Sequence, residues 1–219
     1  MQSPARPQTS DLRLILSERL SPYPFVSNEI LATAEDILIF GSQAAGLARP
    51  SSDCDVLVIG ETRLRIKSKA LDLLVIPREE LNNGMWRRTE LFQHIAAFGV
   101  SLRTGVPLLK VIVDGYAAEH KAERLVNFVR RLSPIWNSLD PSFRRKYLTK
   151  LRRETQRYQI LKEGYAVPPT PVLDASAREA ASMQIISNAF LQLLDKTSPL
   201  NLRFARCVAG GFSSAPVQQ

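Results

Sequence analysis

Residues 37–59 decide the reading: Ile37-Leu38-Ile39-Phe40, then Gly41-Ser42, a ten-residue connection, Asp53-Cys54-Asp55, and Val56-Leu57-Val58-Ile59. An apolar run enters a small-residue turn, and a second apolar run follows a pair of carboxylates. The pattern predicts two strands joined through that turn. Side chains alternate along a strand, so Asp53 and Asp55 share one face and Cys54 points to the other, into the core. Two carboxylates on one face repel each other unless a cation or a proton is shared between them. A divalent metal handling phosphates is the simplest chemistry that calls for them.

A third carboxylate fits the same plan. Leu71-Asp72-Leu73-Leu74-Val75-Ile76 is another apolar run, with Asp72 its only charge. If this strand lies beside the first, Asp53, Asp55 and Asp72 form one site able to hold two divalent ions. One ion would activate an attacking hydroxyl and the other would hold a nucleoside triphosphate. Asp72, nearest the acceptor, would take its proton.

Gly-Ser, ten residues, Asp-x-Asp and a lone Asp on a following strand together resemble the minimal nucleotidyltransferases of the DNA polymerase β superfamily. The likeness covers roughly residues 25–110. It implies an α+β fold, a polymerase β-like core with a small mixed sheet followed by an all-α helical domain. It also implies that Gly41 and Ser42, with Gln43 and Arg49 beside them, hold the triphosphate. Asp53, Asp55 and Asp72 would bind two Mg²⁺ ions, and the nucleotide would be ATP or another nucleoside triphosphate. Gln43-Ala44-Ala45 stand where many relatives carry arginines, which leaves Arg49 as the nearby cation. Glu90 to Leu102 resembles the helix that closes the domain.

Along the chain, Ser10 is expected to cap a helix through Leu20, and Ser27 a second one to Ala34. Residues 42–48 should form a short helix, and Gly60 to Ala70 a basic connector. Pro77 should open a short helix, residues 91–102 a buried one, and Leu108 to Val113 a last strand. A second part begins near Gly115 and reads as helical. Its first helix carries Val126, Val129 and Leu132, and its second runs from Asp140-Pro141 to Gly164. Asp174 is expected to cap a third, with Ala181, Ile185, Ala189 and Leu193 inward. The organisation expected is residues 1–114 as the nucleotidyltransferase domain with its core at 25–113, 115–198 as a helical substrate- or partner-binding domain, and 199–219 as a flexible tail.

Composition narrows the function. Apolar residues make up 45% of the 219, enough for a core, and no apolar run approaches the length of a membrane helix. Two cysteines, Cys54 and Cys207, make no disulfide framework and suit a reducing cytoplasm. His94 and His120 are isolated and read as structural or solvated. The net charge is +8, and much of the excess lies in Arg144, Arg145, Lys146, Lys150, Arg152, Arg153 and Arg157. Such a helix is either a solvated face or a landing surface for a polyanion. Its sign argues against polycationic acceptors such as aminoglycosides. Of the acceptors that the resemblance implies, it suits a protein partner, as in relatives of toxin–antitoxin or defence pairs that transfer AMP to a protein hydroxyl, and equally an RNA end. A non-catalytic interaction module that retains the fold is the third reading.

Overall fold

The computed structural model describes residues 7–103, 110–176, 180–195 and 199–212. The chain divides into two compact units, one of residues up to Ile112 with Pro168–Pro171, the other of Val113–Val167 with Val172 onward.

The first unit opens with α1, Thr9–Leu20. Its Leu12, Leu16 and Leu20 recur every fourth residue on one buried stripe. The cap is Gln8, paired with Asp11 in a reciprocal box, rather than the expected Ser10. A π-helical turn, Val26–Ile30, runs into α2, Leu31–Thr33. Then come β1 (Asp36–Phe40), α3 (Gly41–Ala44), β2 (Cys54–Gly60), β3 (Leu64–Lys67) and β4 (Leu71–Pro77). Three short helices follow: α4 (Arg78–Leu81), α5 (Gly84–Arg87) and α6 (Glu90–Phe98). The sheet ends with β5, Val100–Ser101.

The five strands lie in the order β3-β4-β2-β1-β5. β2 and β4 run parallel, and the other neighbours are antiparallel, so the sheet is mixed as expected. Alternation gives it two packed faces. Ile37, Ile39, Cys54, Val56, Val58, Leu71, Leu73 and Val75 meet α1 on one face. Leu38, Phe40, Leu57, Ile59 and Ile76 meet Leu81, Phe92 and Ile95 on the other. Burying side chains of this size contributes about 2 kcal/mol each.

Besides the helix caps at Ser10 and Ser27, which is inside the π-helical turn, three expectations change in this unit. The connector after Gly60 contains β3, because Leu64 and Ile66 pack inward while Arg65 and Lys67 face out. The buried helix ends at Phe98, and Val100-Ser101 join β1 instead. There the Ser101 hydroxyl donates to the buried Asp36 carboxylate at 2.7 Å. The last expected strand does not form over 110–113, and Leu108 and Leu109 lie outside the described residues. The Lys110 carbonyl instead accepts from Arg87 Nε at 3.0 Å.

The second unit is helical: α7 (Tyr116–Leu132), a 3-10 turn (Ser133–Ser138), α8 (Pro141–Lys162), α9 (Thr170–Ser176), α10 (Ala180–Asp195) and α11 (Pro199–Phe212). Asp140 caps α8 through the Ser142 amide at 2.7 Å, with Pro141 in the first turn. Leu125, Val129, Leu132, Leu151, Ile186, Phe190 and Leu194 form its core.

Three expectations are corrected here. The flexible tail from residue 199 is largely helix, because Phe204, Ala205, Val208 and Phe212 make an apolar stripe that packs inward. Phe204 meets Trp136 edge-on at 5.3 Å, and Phe212 lies 5.3 Å from Phe190. Residues 213–219 lie outside the described residues. In α10 the inward stripe is Met183, Ile186, Ala189, Phe190 and Leu194, and Ile185 is exposed. Asp174 sits inside α9 and pairs with Arg153, so it does not cap the next helix. Among the described residues no helix is long and apolar enough to cross a membrane.

Candidate functional site

The carboxylates gather at one end of the sheet. In the parallel β2–β4 pair Asp55 is opposite Asp72, and across the antiparallel β1–β2 pair Asp55 is opposite Phe40. Register partners on neighbouring strands project to the same face, so Asp55 and Asp72 stand side by side. Asp53 lies two residues before Asp55, just ahead of β2, and Cys54 between them is wholly buried on the opposite face. Burial pushes the Cys54 thiol up to about 12, and the Asp55 carboxylate adds to it, so it is an inert packing group.

Asp55 carries the tension of the site. Burial, then the charges of Asp53 and Asp72, push its carboxyl from 3.8 up to about 6. Its neighbour across the turn is Gly41, at φ +70°. A β-carbon placed on Gly41 would fall 2.3 Å from Asp55 Oδ2, so glycine is required there both for its backbone angle and for room. Gly41 thus fixes the start of α3 directly against the carboxylate. Phe40 is in turn braced by the His94 ring, edge-on at 5.9 Å, which gives that histidine a packing role.

Asp72 is differently placed. Its carboxylate accepts from Arg65 Nε at 3.2 Å, Arg65 Nη2 at 2.9 Å and Lys67 Nζ at 2.8 Å. Partial burial raises its pKa, but these two cations outweigh that and hold it below the usual carboxylate range. Among the described residues no three of His, Cys, Asp and Glu converge as a ready-made metal cage. The trio is adjacent by register, but its third member is turned to cations of the protein itself. Sequence reasoning missed Arg65 and Lys67. The two-residue alternation Leu64-Arg65-Ile66-Lys67 is the signal that would have marked them as strand residues facing the site.

The remaining candidates separate by exposure. Ser42 is half-buried beside Gly41 in α3, and Gln43 is buried in its wall. Arg49 is exposed, and its backbone closes a turn with Ser52, whose Oγ accepts from the Arg49 amide at 2.9 Å. Of the α8 cations, Arg145, Lys146 and Lys150 are exposed. Arg152 is 3% exposed and belongs to the interior, not to an open surface. Arg153 grips Asp174 with a fork, Nη2 donating at 2.8 Å and Nε at 3.1 Å, and Arg157 lies 3.7 Å from Glu154. Arg144 donates to the Asn137 carbonyl at 2.6 Å. The expected surface of seven cations narrows to three.

Residues 27–96, which hold the Gly41-Ser42 turn and all three aspartates, match the family model of the nucleotidyltransferase domain. This segment is a nucleotidyltransferase domain. A search of curated proteins finds no match. The matched segment covers β1 to β4, the Gly-Ser turn and the carboxylate face, and it supports nucleotidyl transfer as the chemistry.

Proposed function

We propose that the protein is a metal-dependent nucleotidyltransferase that moves a nucleoside monophosphate, AMP from ATP in the first instance, onto an acceptor hydroxyl. The observation that carries this is Asp55, held by burial and by two neighbouring carboxylates at a pKa of about 6 against a glycine that leaves it room. Such a cluster is unstable by itself and is relieved by a cation. The donors suit Mg²⁺, which binds oxygen and commonly takes one or two carboxylates and completes its shell with substrate phosphates. Asp53 and Asp55 would be those carboxylates, and Asp72 would join when it leaves Arg65 and Lys67. Bound there, the metal supplies charge neutralisation at the phosphates and lowers the pKa of an attacking oxygen.

The chain's own groups would do the rest. Gly41 and Ser42 would seat the β- and γ-phosphates, and the exposed Arg49 is the nearby cation able to reach them. The acceptor oxygen would attack the α-phosphorus. The bond from that phosphorus to the bridging oxygen would break, pyrophosphate would leave, and the hydroxyl proton would pass to Asp72. The acceptor is a hydroxyl on a protein partner, as in antitoxin or defence systems, or on an RNA end.

The test is incubation of the full chain with each α-³²P-labelled triphosphate, Mg²⁺ and a cell extract, followed by separation of protein, RNA and small molecules. Label should enter one macromolecular class, and the Asp53→Ala/Asp55→Ala variant should lose transfer by at least about a thousandfold. Transfer that survives in that variant overturns the site. A wild-type chain that binds no triphosphate in the presence of Mg²⁺ is an interaction module, and the catalytic reading ends.

A further inference from the structure

The row of register partners continues past the carboxylates. On one face of the sheet, Lys67 of β3 is opposite Asp72 of β4, and Asp72 is opposite Asp55 of β2. Neighbouring strands are about 4.8 Å apart, so a cation, a carboxylate and a second carboxylate follow one another in steps of that size. Arg65, two residues before Lys67, shares its face, while Leu64 and Ile66 pack into the core behind. β3 is the sheet edge, and the Arg65 and Lys67 side chains are 57% and 67% exposed. Arg63, next in the series, is engaged with Glu80.

We infer that Arg65 and Lys67 form a subsite for a backbone phosphate of the acceptor, and that the acceptor is the end of a single-stranded nucleic acid with its terminal hydroxyl beside Asp72. This rests on the nucleotidyl-transfer reading and names its acceptor class. Asp72 cannot serve a metal or a hydroxyl fully while three hydrogen bonds tie it to Arg65 and Lys67. The Arg65 and Lys67 ends of those ion pairs are exposed to water, which lowers the free energy that opposes their exchange. Once Asp72 turns to the reacting centre, two cations stand at the edge of the site without a counter-ion. A guanidinium fork and an ammonium are matched by phosphate. In a nucleic acid end, the sugar hydroxyl and the phosphate of the same nucleotide are one sugar apart, which suits two groups on adjacent strands. A serine, threonine or tyrosine hydroxyl of a protein carries no anion at such a fixed separation.

Cations on an edge strand also prevent pairing with another sheet. That role explains the charge, but it creates no affinity for a ligand, and binding separates the two. The experiment is fluorescence anisotropy of an end-labelled single-stranded oligoribonucleotide with a free 3′-hydroxyl, on the full chain with Mg²⁺, over a salt series. Arg65→Gln/Lys67→Gln should weaken binding about tenfold and reduce the salt slope by about 0.7, the value for one lost phosphate contact on a single strand. Arg65→Lys keeps the charge and the guarded edge but loses the fork, so it should fold as wild type and bind several-fold more weakly. Unchanged affinity and slope in the double variant overturn the subsite. So does aggregation of the double variant with wild-type binding by Arg65→Lys, which would make β3 an edge guard alone. Displacement of the oligonucleotide by polyglutamate at equal charge concentration overturns the nucleic-acid assignment in favour of an acidic protein. Label transfer that persists without Asp53 and Asp55 defeats the parent reading; intact transfer with unaltered binding in the Arg65/Lys67 variant defeats only this one.

Discussion

The carboxylate end of the sheet and the basic helix α8 are the two strongly charged regions of the chain, and they treat charge in opposite ways. On the sheet, Asp53, Asp55 and Asp72 crowd one face, and burial, then its neighbours' charges, hold Asp55 partly protonated near neutrality. On α8 and around it, several charges meet opposites. Lys121 of α7, 3% exposed, holds Glu154 at 2.8 Å, and Arg153 holds Asp174. Like charges left together in a half-buried place cost stability, and a fold retains them for a ligand. Opposite charges placed together hold helices in register and need no ligand. The contrast is sharp enough to be broken by substitution, because removal of a charge should act with opposite sign in the two regions.

The largest change in stability is expected at Lys121→Met. It leaves Glu154, which is mostly buried, facing its site without its main partner, at a cost of about 3 kcal/mol. Burial pushes the Glu154 pKa up, but Lys121 and then the arginines outweigh it and hold the carboxyl below its ordinary 4.5. A depressed carboxylate contributes stability that is present above its unfolded pKa and is lost as pH falls through the lower folded one. The penalty of Lys121→Met should therefore be greatest near neutral pH and shrink below about pH 4.5. Thermal melts over a pH series check this. A penalty that is flat with pH would mean that Lys121 acts through its aliphatic stem alone.

Asp55→Asn should do the reverse. In the unfolded chain this carboxyl titrates at 3.8, in the folded one at about 6. Between those values the unfolded chain releases a proton that the native state keeps, so native stability falls as pH rises and stays lower above the folded value. Asparagine has no such charge to bury. The variant should be more stable than wild type by about 2 kcal/mol at neutral pH, with the gain vanishing below the unfolded pKa. A metal that occupies the site should have a related effect on wild type. Mg²⁺ with a triphosphate should raise the melting temperature more at about pH 7.5 than at about pH 5.5, because it displaces the Asp55 proton. Loss of stability on Asp55→Asn at neutral pH would show that the carboxylate is satisfied by the protein and would remove the contrast.

The sheet end was legible because its signals are local. The alternation of Asp53-Cys54-Asp55 gave the face of each side chain, and the apolar runs gave the strands. Gly41 stood out by its place between Phe40 and Ser42, and its positive φ follows from that turn. What stayed hidden depends on partners far along the chain. β5 is two residues long and exists through pairing with β1 and the Ser101–Asp36 hydrogen bond. β3 reads as a charged connector until Leu64 and Ile66 are seen to reach the core. α11 carries Gly210-Gly211 near its end, weak helix formers, and is sustained by packing of Phe204 and Phe212. The seven cations of α8 looked equivalent in sequence, because a helix pattern shows which residues share a face but not which face a neighbouring helix covers.

That last point gives the smallest and most discriminating prediction. Arg145, Lys146 and Lys150 are exposed, and their triple change to Gln lowers the net charge from +8 to +5 by removing three positive charges. Lys150 lies 4.7 Å from the centre of the Phe128 ring and Lys146 5.4 Å from that of Phe143, contacts worth about 0.5 kcal/mol each at exposed positions. Against that loss, Lys146 and Lys150 are four residues apart and repel each other, so part of the cost is returned. The triple variant should melt within about 0.5 kcal/mol of wild type. Arg152→Ala, a single change further along the same helix, should cost more than all three together, because it removes the packing of a buried side chain. Equal effects would mean that Arg152 is as free as its exposed neighbours, and the helix would then have to be treated as one basic surface.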